Sequence, residues 1–152
     1  FERSLDQGMI SLDEVFDDIY RPIPDTNPQQ ILTRFTKSTD QILPAIQEPI
    51  LDCDERIVFC AAVDRNGYLP THNKKFAHRP SQDPVWNAAH CRNRRIFDDR
   101  TGLKAGRNEK PFLLQVYRRD MGGGTFVMMK DLSAPITLRG RHWGAVRLAY
   151  RL

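Results

Sequence analysis

The stretch RIVFCAAVD, residues 56–64, is short, rich in β-branched side chains and apolar at both alternating sets of positions. A strand with that pattern is covered on both faces, so we expect a central strand here. Arg65-Asn66-Gly67 comes next, and an asparagine followed by a glycine favours a tight turn. The pattern therefore predicts a hairpin whose returning strand spans residues 68–73.

Three later segments alternate with a period of two, which is typical of strands: residues 112–118, 125–130 and 143–152. The glycine run 122–124 links the first two, and Arg139-Gly140-Arg141 makes the turn into the last. In that last strand Val146, Leu148 and Tyr150 share one face, and Arg147 lies on the other. Together with the hairpin, these segments predict five antiparallel strands.

The first third of the chain is predicted to be helical. Ser11 to Glu14 has the S-x-x-E pattern of a capping box. Asn27-Pro28 supplies a capping side chain and a proline for the first turn of a second helix. That helix would carry Ile31, Phe35 and Ile42 on one apolar face, which could pack on a sheet or on a second copy of the chain. We expect an α+β fold with an N-terminal helical segment (residues 1–53) and a sheet domain (residues 54–152) in one structural unit.

Composition is that of one globular domain. The chain has 152 residues, of which 40% are hydrophobic and 28% charged, and its formal net charge is +4. No apolar run approaches the roughly 20 residues that a membrane-spanning helix needs. Three cysteines make an odd count, which we interpret as reduced thiols in a cytoplasmic domain.

Four segments are more specific than these patterns, and they resemble a sensor domain of bacterial methyl-accepting chemotaxis proteins: DRNGYLPTHN (64–73), CRNRRIFDDRTGL (91–103), PFLLQVYRRDMGGGTFVMMKDLSAPI (111–136) and GRHWGAVRLAY (140–150). The resemblance implies a five-stranded antiparallel PAS-like (Cache-related) sheet with a small-molecule pocket. It also implies a receptor signalling domain as partner and a homodimer. Relatives that place the domain after the signalling region imply a cytoplasmic location, and periplasmic Cache sensors imply the alternative.

An arginine-rich stretch is the first candidate for ligand binding. Guanidinium groups of Arg92, Arg94 and Arg95 can grip a carboxylate or phosphate through paired hydrogen bonds. Asp98 and Asp99 could orient them. The alternative is that arginine–aspartate pairs pin a long insert to the body of the domain. We assign supporting structural roles to the following residues: Asp64, Gly67, His72, Asp98, Asp99 and Arg100.

Aromatic and sulfur side chains are candidates for the pocket lining: Trp86, Tyr117, Phe126 and Met128. Residues at every second strand position would face a cavity, although the same side chains could fill a core. Arg118 and Lys130, at strand ends, would meet a charged ligand at the mouth of the pocket. The sequence therefore predicts a small polar or anionic metabolite as ligand.

Other functions have less support. No catalytic motif is present, so we expect no enzyme, and no histidines have the helical spacing of a metal pair. The absence of C-x-x-C-H excludes covalent haem, whereas non-covalent haem stays open. Nucleic-acid binding through residues 92–110 would need stacking aromatics, of which only Phe97 and Phe112 are near. A dimerisation or interaction module without a ligand is the main alternative to sensing.

Overall fold

The N-terminal part of the chain forms short helices and one small strand pair. The computed structural model describes residues 1–121 and 123–152. The first elements are α1 (Glu2–Asp6), α2 (Leu12–Val15), β1 (Arg21–Pro22), β2 (Ile31–Leu32), α3 (Thr36–Ile42), α4 (Pro44–Gln47) and a 3₁₀ turn (Pro49–Asp52). The capping box is confirmed, because the Ser11 hydroxyl accepts from the Glu14 N–H and the Glu14 carboxylate accepts from the Ser11 N–H.

The C-terminal part contains the long strands. Its elements are β3 (Ile57–Asp64), β4 (Tyr68–Leu69), a 3₁₀ turn (Lys74–Phe76), α5 (Pro84–His90), β5 (Arg95–Ile96), α6 (Arg100–Gly106), β6 (Leu113–Asp120), β7 (Phe126–Leu138) and β8 (Arg141–Arg151). The turn before β8 is confirmed, with Arg139 and Gly140 both at positive φ. The glycine run 122–124 was predicted to link two strands, and its first residue, Gly122, lies outside the described residues.

Within residues 1–121 and 123–152 the main sheet has four antiparallel strands in the order β3-β8-β7-β6, so the α+β class holds and the five-stranded PAS-like sheet is wrong. The predicted fifth strand, residues 68–73, contributes only β4, which pairs with β5 instead. Two features limit how far residues 68–73 can pair with the main sheet. The Asp64 carboxylate takes the N–H groups of Asn66 and Tyr68 at the turn, and Pro70 offers no N–H to a ladder.

The predicted helix from Asn27-Pro28 is also wrong. Residues 21–22 and 31–32 form an antiparallel pair, and the loop between them is held by side chains. Thr26 accepts from the Gln30 N–H, and Gln29 donates to the Ile23 carbonyl. These bonds satisfy the backbone outside a helix, so the next helix after α2 begins only at Thr36.

The predicted apolar face with Ile31, Phe35 and Ile42 does not form as such. Phe35 is 1% exposed and packs edge-on against Tyr68 and Trp143. It belongs to a core cluster that ties the N-terminal segment to the sheet domain. A second copy of the chain therefore cannot use Phe35 as a contact without opening this core.

A second core cluster lies on one face of the main sheet, beneath the segment that runs from β4 to α6. Its buried members are Val58, Phe59, Ala61, Val63, Leu69, Met129 and Ala149. Strand register places Phe59 opposite Ala149, and Tyr117 opposite Met129. We call this side the inner face. The outer face of β6 and β7 carries the alternate residues, of which Leu114, Val116, Phe126 and Met128 are exposed.

Within the described residues, no helix is long and apolar enough to cross a membrane.

Candidate functional site

A cavity of about 40 Å³ lies against the inner face, lined by Phe59, Leu69, His72, Arg92, Phe97, Asp99, Tyr117 and Arg147. A cleft of about 380 Å³ shares four of these side chains and adds others: Ala88, Arg95, Thr101, Arg118, Arg119 and Asp120. The shared walls make the two spaces neighbours. The cleft has the size of an ordinary small-molecule site, and the cavity has room for one small chemical group.

Three charged side chains project from the inner face of three neighbouring strands. Arg119 comes from β6, Asp131 from β7 and Arg147 from β8. The alternation of a strand places all three on the side that carries Tyr117 and Met129. Each of the three is at most 5% exposed. This face of the sheet is therefore charged where most inner faces are wholly apolar.

Arg147 and Asp131 form a buried ion pair. The Arg147 guanidinium donates to one carboxylate oxygen of Asp131 through Nε at 3.0 Å and Nη2 at 2.8 Å. Burial raises the pKa of Asp131, and Arg147 opposes that rise. Small residues make room for the arginine, because Ala61 lies directly across from it and Ala145 and Ala149 flank it on its own strand.

In the part of the chain that the structure describes, Arg119 has no such partner. It is 2% exposed, and none of its three guanidinium nitrogens has a hydrogen-bond partner among the described residues. Burial lowers its pKa, and Tyr117, two residues earlier on β6, partly offsets that lowering. The contact with Tyr117 nevertheless falls short of hydrogen-bond geometry. Arg119, which contributes to the cleft lining, thus buries a positive charge and up to five N–H groups that have no acceptor among the described residues.

Aromatic rings surround this guanidinium. The Cζ atom of Arg119 is 5.0 Å from the centroid of the Phe59 ring and 4.6 Å from that of Phe76. His72 packs on both rings, at 5.2 and 4.9 Å between centroids. Attraction between a cation and aromatic faces recovers part of the cost of burial, at roughly 0.5–2 kcal/mol per contact.

Arg92 and Arg95 are held by backbone carbonyls at the end of α5. Arg92 donates to Ala88 O at 3.0 Å, and Arg95 donates to the same oxygen at 3.3 Å. Both guanidinium groups lie 5.1 Å from the centroid of the Phe97 ring. Burial first, and then Arg119 and Arg95, lower the pKa of Arg92 to about 9, so Arg92 is charged at neutral pH.

His72 is a neutral donor at this site. Its Nδ1 accepts from the Asn73 N–H at 2.8 Å, which leaves the proton of the neutral ring on Nε2. Burial, followed by the nearby guanidinium groups of Arg119, Arg92 and Arg147, lowers the pKa of His72 well below its ordinary value. The ring therefore adds a hydrogen-bond donor to the cavity without adding charge.

Six of the residues predicted from sequence line the cavity or the cleft: His72, Arg92, Arg95, Asp99, Tyr117 and Arg118. Asp99 also caps α6 by accepting from the N–H groups of Thr101 and Gly102. Arg118 lies at the rim, where its guanidinium carbon is 3.8 Å from the centroid of the Phe126 ring.

Other predicted ligand residues lie elsewhere. Arg94 forms an ion pair with Asp40 at 2.9 Å and so ties the arginine-rich stretch to α3. Trp86 stacks on His90 at 4.5 Å, outside the lining of both spaces. Phe126 and Met128 are on the outer face, and so is Lys130, whose ammonium group is 6.0 Å from the centroid of the Tyr150 ring.

The predicted structural residues fall into two groups. Asp64 receives the Tyr20 hydroxyl at 2.6 Å and organises the turn after β3. A side chain on Gly67 would meet Phe97 O at 2.4 Å, so only glycine fits where β4 and β5 approach. Asp98 and Arg100 are exposed.

Sequence reasoning missed the residues that carry most of the buried charge: Arg119, Asp131 and Arg147. One signal could have found Arg147. It lies between Ala145 and Ala149 at the positions that share its face, and small neighbours leave space for a long side chain. The large apolar residues Val146 and Leu148 pointed to the other face instead.

Comparisons of the chain with protein-family models, with curated proteins and with solved structures return no match. The described residues contain no group of three or more histidine, cysteine, aspartate or glutamate side chains arranged to hold a metal ion. The fold and the site therefore define the class of protein: an α+β domain with an arginine-lined cleft on the covered face of its sheet.

Proposed function

We propose that this chain is a sensing domain that binds a small polar or anionic metabolite in the arginine-lined cleft. The observation that carries the proposal is Arg119, which lies in the cleft wall with every guanidinium nitrogen buried and unpartnered among the described residues. An unpaired buried charge costs several kcal/mol. Buried charged groups without hydrogen-bond partners are rare in folded cores, and they are expected where function requires them.

The same residues explain why an anion would be selected. Five arginines line the cavity and the cleft, and the neutral His72 ring supplies a further donor. Aromatic walls lower the local polarity, and in such surroundings a charge-assisted hydrogen bond is stronger than in water. The cleft therefore combines charge attraction with a size suited to one metabolite.

We further propose that the domain senses this metabolite as part of a methyl-accepting chemotaxis receptor. Support for the receptor assignment comes from the four sequence segments that resemble such sensors. A ligand can alter signalling only by binding one conformation more tightly than another. The Arg119→Met variant of the parent receptor should then lose its response to the anion, whereas a retained response would separate anion binding from signalling.

The binding test is a thermal-denaturation screen of the purified chain against organic acids, amino acids, nucleotides and inorganic anions. Ligand at a hundredfold excess over its Kd stabilises the native state by about 2.7 kcal/mol. For a chain of this size that corresponds to a rise of roughly 5–10 °C in Tm. The Arg119→Met variant should show no rise.

The matched control is Lys130→Met, which removes a positive charge from the outer face of the same sheet. This variant should respond to ligand as the unmodified chain does. Equal responses from Arg119→Met and Lys130→Met would contradict the cleft as the binding site, and an absence of any response across the screen would contradict sensing by this domain.

An interaction module is the second candidate, and the outer face favours it. Leu114, Val116, Phe126 and Met128 are all between 44% and 57% exposed on two neighbouring strands. These apolar side chains alternate with charged ones across the two strands, since Val116 lies opposite Lys130 and Met128 opposite Arg118. Exposed apolar surface flanked by polar residues marks protein interfaces in many proteins. Sedimentation of the chain at high concentration tests this candidate. A concentration-dependent dimer that Val116→Lys abolishes would support it, and a persistent monomer would count against self-association.

A further inference from the structure

We infer that two copies of this chain associate edge to edge through β6, so that their main sheets join into one sheet with four strands from each copy. The occupant of the β6 edge is a second copy of the chain, related to the first by a twofold axis that passes through Val116. This inference rests on the interaction-module candidate, for which it names the partner and the contact. It is independent of anion binding in the cleft.

The two edges of the main sheet differ in how they are protected. At the β3 edge, the Cys60 N–H donates to the Asn73 side chain at 2.9 Å, and the pairing register shifts between Ile57 and Phe59. Covering segments and bulges are two ways in which proteins keep an edge strand from pairing with another chain. In contrast, β6 pairs with β7 in one unbroken register and, within residues 1–121 and 123–152, with no other strand.

The hydrogen-bond ladder fixes which backbone groups of β6 point away from β7. The Met121 N–H donates to Thr125 O at 2.8 Å, so these two residues form a hydrogen-bonded pair. Because such pairs alternate along an antiparallel ladder, the backbone groups of Leu114, Val116 and Arg118 point to the outer edge of the sheet. Among the described residues, no hydrogen bond to these N–H and C=O groups is formed.

Strand β6 can pair antiparallel with its own copy in a register that satisfies all three residues. With the twofold axis at Val116, this residue lies opposite its own copy, and Leu114 lies opposite Arg118 of the second copy. Each pair then exchanges two hydrogen bonds. The two Arg118 guanidinium groups stay apart, with the pair of valines between them. An axis through Gln115 would instead set Arg118 against Phe112, which lies outside β6.

A register shifted in the other direction is also disfavoured. A twofold axis through Tyr117 would draw Asp120 into the new ladder, although the Asp120 carbonyl already accepts from Arg92 at 3.4 Å. It would also bring the two Arg118 side chains to diagonal positions across the strands, where like charges repel. The axis through Val116 avoids both conflicts.

Charges on the outer face favour contact through the edge over contact between two outer faces. Lys130 lies opposite Val116, and Arg118 lies opposite Met128. Packing two outer faces together would take these cations of both copies out of water, which is costly for charges that gain no carboxylate partner. Edge pairing leaves the cations in contact with solvent and brings Val116, which is 57% exposed in the single chain, against its own copy.

The experiment combines sedimentation equilibrium with amide hydrogen exchange, followed by NMR on the purified chain at low and at high concentration. We expect a concentration-dependent dimer, in which exchange at the Val116 and Arg118 amides slows by about tenfold or more. Exchange at Tyr117, whose N–H already bonds to β7, should change much less. A chain that stays monomeric at about 1 mM would overturn the inference together with self-association as a function.

Two variants distinguish edge pairing from packing between faces. Val116→Pro removes an N–H group that points to the outer edge, so the ladder to β7 is kept and the variant should be monomeric. Met128→Lys adds a charge to the outer face on β7, away from the edge, and should leave dimerisation within about threefold. Loss of the dimer in Met128→Lys and its retention in Val116→Pro would overturn edge pairing and leave an interaction module that uses the outer face.

Cross-linking tests the register and does not depend on the folding of Val116→Pro. In a chain whose exposed Cys53 is replaced by serine, Val116→Cys should form an intermolecular disulfide with oxidised glutathione. The Cα atoms of a hydrogen-bonded antiparallel pair lie about 5.5 Å apart, which a disulfide spans. Arg118→Cys in the same background lies opposite Leu114 and should cross-link about tenfold more slowly. Equal rates for the two variants would overturn the axis at Val116.

Discussion

On the inner face of the main sheet, Arg119, Asp131 and Arg147 are each at most 5% exposed, whereas on the outer face of the same strands Val116 and Met128 are 57% and 47% exposed. Charge is buried on one side and apolar surface faces solvent on the other. Because successive side chains of a strand alternate between faces, these opposite environments belong to residues that are neighbours in sequence.

The difference shows that this sheet is not arranged for stability alone. An inner face made of apolar residues would avoid the cost of desolvating two guanidinium groups and a carboxylate. Small residues such as Ala145 and Ala149 instead make space for long charged side chains. The site is therefore built on rigid strands, which hold its donors more accurately than loops would.

The largest effect is expected at the buried ion pair. Asp131→Ala leaves Arg147 without its carboxylate, and an uncompensated buried charge typically costs about 3–5 kcal/mol. Lys130→Ala changes the adjacent residue on the outer face and should alter the free energy of unfolding by no more than about 1 kcal/mol. Urea denaturation of both variants measures the contrast. Similar losses in the two would show that the faces are energetically equivalent.

The next effect runs in the opposite direction. Replacing Arg119 by methionine removes a buried, unpartnered charge and keeps much of the volume, so the ligand-free chain should gain about 1–4 kcal/mol. Gain of stability with loss of anion binding is typical of a functional group in a core. Urea denaturation in the presence and absence of the anion that gives the largest rise in Tm in the binding screen measures both. A large loss of stability would mean that the aromatic contacts of Arg119 outweigh its desolvation.

The third effect is a pH dependence that originates on the inner face. Burial and the neighbouring arginines lower the pKa of His72 in the folded chain. As pH falls, the His72 ring is therefore protonated in the unfolded chain before it is protonated in the folded chain. Stability from this group is full above pH 6.5 and is lost as pH falls below it, by up to about 1.4 kcal/mol per pH unit.

The measurement is the difference in unfolding free energy between the unmodified chain and His72→Phe from pH 8 to pH 5. The difference removes opposing contributions from Asp64 and Asp131, whose pKa values burial raises. The unfolding free energy of the unmodified chain minus that of the variant should decrease as pH falls below 6.5, because only the unmodified chain loses the His72 contribution. A difference that does not change with pH would place the origin of the pH dependence elsewhere in the molecule.

Much of the fold could be predicted because its signals are local. The capping box at Ser11 and the turn at Arg139-Gly140 depend on a few adjacent residues, and both formed as predicted. The partner of β4 could not be predicted, since it depends on Arg95 and Ile96, which lie far along the chain. The helix predicted from Asn27-Pro28 was wrong for a different reason, because side chains of the loop, such as Thr26, satisfy the backbone and the flanking residues 21–22 and 31–32 pair instead.

The candidate site was only partly predictable, because alternation fixes which residues share a face and not which face is covered. Tyr117 was placed in the pocket with Phe126 and Met128, but the register sets the latter two on the outer face. Arg118 was singled out, and its neighbour Arg119 carries the buried charge. A difference of one position moves a side chain to the opposite environment.

The smallest effect is expected when one valine on each side is replaced by threonine, which adds a single hydroxyl to the inner or to the outer face. Val63→Thr puts a hydroxyl into the fully buried second core cluster and should cost about 1 kcal/mol, because the group loses water and gains no assured partner. Val116→Thr makes the same change on the outer face, where Val116 is 57% exposed, and should stay within about 0.5 kcal/mol. Thermal denaturation of matched samples resolves the difference. A loss at Val116 as large as that at Val63 would mean that the outer face is covered in solution, which is the condition that an interaction module requires.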